Sequence, residues 1–459
     1  MKKLTLKELL QSNKNKKILF LGREGIFTVE EIQRFLNKYD IAMVSDYTND
    51  VVGVVEHHML NPVEEDISYV AYDDNIPIYK LVDFEKLFSE DINDDELLMG
   101  VKLANDQERI FRLLGNAHIG NDLFVKLLGM YEWHENDEDN TKDRDVIMHT
   151  LRRYIKIKPN EEDLLYSSLT LKRLSREASD PRLLQALLRF PNITFLQKGK
   201  QRITLKESIA TNIHIDSELI RRLMSLRDAG VDMYLAANTS TPLDILHKYA
   251  QRDDEEINQS LASNTNIDDI IFTSLIKKSN AVLQVMLWYQ HISMSKYKQL
   301  EELIEDEELF ASLGDNQHID KIVLEKLSQS SNKSLLVNLA ANDSVDSNFL
   351  EYIYKRNIFE TLGHIAMNRT TPVVILEEIY RDYANNEDIL ISLSYNAATP
   401  VPILKELYER EEFKINKGLA SNASVPMEIL NVLKIDTRLR NELTTNETFV
   451  ASITRSLGL

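Results

Sequence analysis

The chain has 459 residues, 43% of them hydrophobic, with only 13 Gly and 10 Pro, so it is long enough for more than one domain and too apolar to be disordered. The absence of Cys excludes disulfides, thiolate metal sites and a Cys nucleophile, and it fits a reducing compartment. A formal net charge of −19 opposes indiscriminate binding to nucleic acid. No apolar run reaches the roughly 18 residues of a membrane span, and Met1-Lys2-Lys3 leads into no signal-length apolar core, so a cytoplasmic protein is expected.

Residues 1–95 alternate strand and helix signals. Lys17 to Gly22 is a short apolar run ending on Gly. Thr28 with Glu31 three residues on forms a capping box, and Ile32, Phe35 and Leu36 give the following helix its apolar face. Ile41–Val44, Val51–Val55 and Ile76–Leu81 read as further strands, the last followed by a short helix through Phe84 and Leu87. Such alternation predicts a small parallel sheet covered by helices. Gly22-Arg-Glu-Gly25 could be a nucleotide loop, but it lacks a third Gly and places Glu24 where phosphate would approach, so a plain turn is the simpler expectation. His57 and His58, adjacent on an extended segment, are expected on opposite faces.

From Lys16 to Glu90 this order resembles a BRCT domain, notably in the first strand ending at Gly22 and the Asn75-Ile-Pro-Ile78 strand. The family's Gly-Gly turn is replaced by Tyr39-Asp40, and its late Trp at best by Phe84. Phosphopeptide-binding members carry Ser or Thr before that Gly, where this chain has Leu21, and Asn61–Asp74 offers no Lys for a second phosphate contact. The resemblance therefore implies a BRCT-like fold without phosphoserine recognition.

Residues 96–211 carry irregular helical signals. Glu132 to Asp143 is an acidic stretch without apolar periodicity, expected as an exposed loop. His134 with Glu132, Glu135 and Asp137 lacks the fixed ligand spacing of a metal site, and no metal is expected. Residues 146–206 reverse the sign, with thirteen Lys or Arg against five Asp or Glu. Arg152, Arg153, Lys156, Lys172, Arg173 and Arg176 in this island are candidate contacts for an anionic partner such as nucleic acid. The alternative is that they pair with the acidic loop or with neighbouring helices.

The remainder, 212–459, is organised by one phrase. Leu235-Ala-Ala-Asn238, Leu261-Ala-Ser-Asn264, Leu339-Ala-Ala-Asn342, Ile365-Ala-Met-Asn368, Leu393-Ser-Tyr-Asn396, Leu419-Ala-Ser-Asn422 and Leu443-Thr-Thr-Asn446 repeat it, with Ile209-Ala-Thr-Asn212 and Leu313-Gly-Asp-Asn316 as variants. Most anchors lie 26 residues apart, and Gln290 fills the midpoint between Asn264 and Asn316, with Leu287 at the matching offset. A fixed period in this range predicts a solenoid. Apolar residues seven and three before each anchor share one helix face, as in Leu335 and Leu339. A small residue two before it would admit a neighbouring helix, and at that place Trp288 is expected to fill a widened gap. The Asn is expected to end the first helix in the left-handed conformation and to bond the turn. Thr241-Pro242, Thr371-Pro372 and Thr399-Pro400 then predict a second helix, Thr capping it and Pro in its first turn.

This grammar resembles the leucine-rich repeat variant, and more distantly HEAT and armadillo repeats, over Ile209 to Leu459, with one further unit at Leu113-Leu-Gly-Asn116. The units are slightly longer than that family's usual repeat. Some of its members carry a cysteine-bound iron–sulfur cluster, which a chain without Cys cannot hold, so no cofactor is expected.

The expected fold class is mainly α: a right-handed α-solenoid of short helical repeats of about 26 residues, preceded by the small α/β domain. No Gly-x-Ser-x-Gly elbow, Walker loop, EF-hand or His-x-x-x-His spacing occurs. The expected function is a non-enzymatic scaffold for a protein partner, with Glu377, Glu378, Lys405 and Glu406, together with Asp244 and Lys248, as candidate contact residues on the second helices. The alternative is a nucleic-acid-associated adaptor acting through segment 146–206 and the BRCT-like domain.

Overall fold

In a computed structural model of the chain, residues 4–22, 25–134, 140–155, 168–197 and 200–456 are described. Two compact units are present, Met1–Leu226 and Arg227–Leu459. The chain is mainly α-helical, with a parallel sheet near its N-terminus followed by short helices that pack in series like a solenoid. No helix among the described residues is long and apolar enough to cross a membrane.

The first unit begins with helix α1 (Leu6–Ser12), then β1 (Lys17–Leu21), α2 (Val29–Asn37), β2 (Ala42–Val44), β3 (Val51–Glu56), α3 (Pro62–Asp73), β4 (Ile78–Lys80) and α4 (Leu81–Ser89). The four strands are parallel in the order β2-β1-β3-β4. Alternation along β1 divides its side chains between the two faces. Leu19 and Leu21 pack with Val51, Val54 and Ala71 of α3. On the other face Phe20 meets Phe84 edge-on at 5.0 Å, and Phe35 meets Phe84 and Phe88 at 5.7 and 5.0 Å. The Thr28–Glu31 capping box opens α2 as its sequence requires. A hairpin of β5 (Thr194–Gln197) and β6 (Lys200–Thr204) follows the irregular helices.

In the second unit each repeat is a helix, a turn on Asn (in one repeat Gln290) and a second helix. Most first helices open on side-chain caps: Asp228, Asp254, Ser279, Asn332 and Asn386 each accept an amide of the first turn, whereas Ile358 and Glu412 do not. Their inward leucines are fully buried, among them Leu235, Leu261, Leu287, Leu335 and Leu393.

Two local expectations are corrected. The anchor Asn is not left-handed: Asn342 has φ −78° and ψ 116°, and Asn264, Asn396 and Asn422 match it. The extended ψ turns the Asn carbonyl out of its own helix toward the next unit, where a left-handed residue would turn it away. Nor does Thr cap the second helix. Thr241, Thr371 and Thr399 donate their hydroxyls backward, to the carbonyls of Leu235, Ile365 and Leu393 at 2.6, 2.6 and 2.7 Å. Pro242, Pro372 and Pro400 occupy the cap position themselves, and their carbonyls start the helix.

Candidate functional site

The repeating polar residues form a buried ladder along the second unit. Asn342 Nδ2 donates to the carbonyls of Gly314 and Asn316 in the preceding unit, at 2.8 and 2.7 Å, while its Oδ1 accepts the Ser344 amide at 2.9 Å. Asn368, Asn396 and Asn422 repeat this pattern on Ala340 and Asn342, Ala366 and Asn368, and Ser394 and Asn396. The second acceptor in each of these units is the previous anchor's own carbonyl. The first, in these units, belongs to the small residue, so a bulky side chain there would hold the donor away. Gly314 marks the limit of approach, since an added Cβ would lie 2.9 Å from the Leu335 carbonyl oxygen.

Gln290 holds its rung. Its Nε2 donates to the Ala262 and Asn264 carbonyls, both at 2.9 Å, and it is buried with Leu287. The i+2 amide, Ile292 N, is bonded by His318 O at 2.8 Å instead of by the anchor's own side chain, and a parallel bridge joins Ile292 to Ile319. Trp288 fills no gap: it is 40% exposed, and Asn316 takes the carbonyl of Leu287 in place of that of Trp288, at 2.6 Å.

Most of what remains outward on the second helices changes from unit to unit. Glu377, Lys405 and Glu406 are exposed on the second helices and Glu378 is half-buried. Glu406 accepts the Tyr380 hydroxyl of the preceding unit at 2.8 Å. Glu378 stands by Tyr354, whose phenol is raised above its ordinary pKa by burial and by this carboxylate. Asp244 and Lys248 pair with each other at 3.8 Å. The Tyr–Glu steps were not anticipated, although Tyr354 and Tyr380 stand one period apart in the sequence.

The basic island divides. Arg153 belongs to the packing: its guanidinium donates to the carbonyls of Ile119 and Asn116 and lies 4.5 Å from the Phe124 ring, and burial lowers its pKa. Arg182 pairs with Asp122 and Asp180. Lys172, Arg173 and Arg176 come together with Glu177 around a depression of about 340 Å³, but Lys172 is buried and Arg173 pairs with Glu177 at 2.8 Å. Arg152 and Arg176 are exposed. Lys156 lies outside the described residues.

A cleft of about 660 Å³ opens in the first unit past the carboxyl ends of β1, β3 and β4, where ligands of open parallel sheets commonly bind. Its walls include His57, His58, Lys80, Arg112, Glu56, Glu65 and Glu85. His57 and His58 do not diverge: they follow the end of β3, where the chain turns, and their rings meet at 4.2 Å with a tilt of 37°. Two described amides, in and next to the 22–25 segment, are filled by the protein's own carboxylates. Gly22 N–H donates to Glu64 at 3.1 Å and Ile26 N–H to Glu85 at 2.9 Å. Neither of these two amides is left for a phosphate; residues 23 and 24 of that segment lie outside the described residues.

The described ends of the 132–143 stretch are more integrated than the exposed loop expected of it, the second of them opening helix Thr141–Tyr154. Trp133 packs against Phe190 and Tyr131, at 4.4 and 5.0 Å. Asp143 is buried, accepting the Tyr131 hydroxyl at 2.8 Å and facing His134 Nδ1 at 3.0 Å. His134 is thus tied to a carboxylate, while Glu135 and Asp137 lie outside the described residues. Among the described residues no His, Cys, Asp and Glu cluster could hold a metal.

No protein-family model matches the chain, and comparison with curated proteins and with solved structures gives no match.

Proposed function

We propose that the chain is a non-enzymatic interaction scaffold whose helical repeats, similar to leucine-rich repeat variants, bind an extended segment of a partner protein. One observation carries this. The side chains that repeat from unit to unit are buried in the ladder, whereas the outward residues of the second helices change: Asp244 and Lys248, Glu377 and Glu378, Lys405 and Glu406. A surface that varies along a rigid, repeating frame suits one long partner better than many copies of a small ligand. The BRCT-like sheet domain then supplies a second contact.

The test is cross-linked capture from the native cell with Glu377→Lys, Glu378→Lys and Glu406→Lys combined. Capture should fall severalfold while stability changes by about 1 kcal/mol or less, since exposed substitutions have small effects and only the two Tyr–Glu steps are lost. Unchanged capture would remove this surface from the proposal.

A nucleic-acid role through the basic island has weaker support, because Arg153 and Lys172 are held in the packing and Arg173 is paired. It predicts salt-dependent retention on a polyanion that Arg152→Ala with Arg176→Ala abolishes.

A further inference from the structure

Helix α3 turns only part of its surface to the sheet. Ala71 is buried in the core and Ile67 packs against it. The outward arc is strongly apolar and aromatic: Val63 is 68% exposed, Tyr69 70%, Val70 51% and Tyr72 71%, with Met59 at 61% just before the helix. A helix normally presents polar residues to water and keeps such side chains for a partner. No ring contact or hydrogen bond to a described residue engages Tyr69 or Tyr72 through its side chain.

The charge on this face has one sign. Glu65, Asp66 and Asp73 lie among the apolar positions and form no ion pair with a described residue. No Lys or Arg occurs anywhere from residue 39 to 79, a stretch with nine Asp or Glu. The neighbouring carboxylates Glu64 and Asp74 are engaged locally, by Gly22 N–H and by the Tyr47 hydroxyl. The acids of the helix without a partner among the described residues are therefore Glu65, Asp66 and Asp73, all on the exposed arc.

We propose that α3 is the docking face for a cationic amphipathic helix of a partner protein. Apolar anchors would lie along Val63 and Val70, which stand seven residues apart on one side of the helix, in ridge-and-groove packing. Lys or Arg side chains would cover the Tyr69 and Tyr72 rings and face Glu65, Asp66 and Asp73. A second copy of the same face is disfavoured because acid would meet acid, and a nucleic acid is disfavoured for the same reason. This contact adds to the scaffold proposed above and is tested apart from the repeat surface.

The experiment uses the full chain and three labelled synthetic peptides of equal length, followed by fluorescence anisotropy at physiological salt. One is an amphipathic Lys/Leu helix, one its Glu/Leu counterpart, and one a Lys/Ser peptide with the same charge but no apolar face. The Lys/Leu peptide should bind saturably, the Glu/Leu peptide not at all, and the Lys/Ser peptide about tenfold more weakly or worse. Tyr69→Ala with Tyr72→Ala, and separately Asp66→Lys with Asp73→Lys, should each weaken the Lys/Leu peptide by about tenfold. The triple charge reversal at Glu377, Glu378 and Glu406 should leave it unchanged.

Absence of saturable binding, equal binding of the Lys/Ser peptide, or indifference to both α3 variants would overturn the proposal, as would loss on the repeat variant alone. Hydrogen exchange of the unaltered chain provides a check that needs no substitution. Peptide should slow exchange within residues 59–73, and slowing confined to other segments would count against α3.

Discussion

A single side chain, the anchor Asn, performs two tasks at once. Its Oδ1 closes the turn on the amide two residues ahead, and its Nδ2 holds two carbonyls of the unit before. Asp could accept but not donate, and Ser is too short to span the gap, so the amide chemistry follows from the geometry. Asn342→Ala would leave the Gly314 and Asn316 carbonyls and the Ser344 amide without this partner. At about 1–3 kcal/mol for each unsatisfied buried group, a loss of at least about 2 kcal/mol is expected in chemical denaturation. Asn342→Gln should fall between Ala and the unaltered chain, because Gln290 already shows that a longer amide keeps the inter-unit bonds and gives up the turn. Equal losses for Ala and Gln would refute that division. The anchor positions, Gln290 included, were legible from spacing alone. Its conformation was not, because helix-ending statistics describe a chain that turns on itself, whereas this Asn is pulled extended by the unit that follows.

Pairs of elements show where local signals mislead. Thr-Pro reads as a helix start, and a helix does start there, but the Thr hydroxyl closes the preceding turn instead. His57 and His58 were assigned opposite faces by strand alternation, yet the strand ends at Glu56 and the rings meet beyond it. Charges between neighbouring second helices could not be read from the period, because the paired positions shift from unit to unit, as in Lys296 with Asp269 and Lys326 with Glu301. One such pair fixes a pH dependence. Glu301, on helix Met294–Leu303, takes the Lys326 ammonium of helix Lys321–Ser328 on both oxygens at 2.8 and 2.6 Å, and the Tyr297 hydroxyl at 2.8 Å. These donors, Lys326 first, hold its carboxyl below the ordinary 4.5. The folded state then binds this proton less readily than the unfolded chain. The stabilisation is complete above about pH 4.5 and is lost as pH falls through the lower folded value. Glu301→Gln should cost about 0.2–1 kcal/mol at neutral pH, the half-exposed pair being screened, and the difference should close in acid. A difference in melting temperature that stays constant from neutral pH to pH 3, or about that, would show that the ion pair is not its source.

At the scale of the whole molecule, each compact unit has its own apolar core, and the two differ in how contacts are distributed along the chain. In the sheet domain, Leu19 and Leu21 of β1 pack with Val51, Val54 and Ala71, so distant segments depend on one another. In the second unit each repeat meets chiefly its neighbours, through leucines and the ladder. Damage there should stay local. Leu339 is buried at a repeat junction, and Leu339→Ala should cost roughly 2–5 kcal/mol through lost burial and the cavity left behind. In a nearest-neighbour array that loss falls first on the repeats around Asn316, Asn342 and Asn368. Hydrogen exchange should therefore accelerate most in helices Lys333–Ala341, Ser347–Lys355 and Phe359–Met367, less toward Asn446, and not at all in β1 and β3. If amides of the N-terminal sheet instead loosened in step with those of the repeats, the two units would share one cooperative transition, and stability in the repeats would not be local.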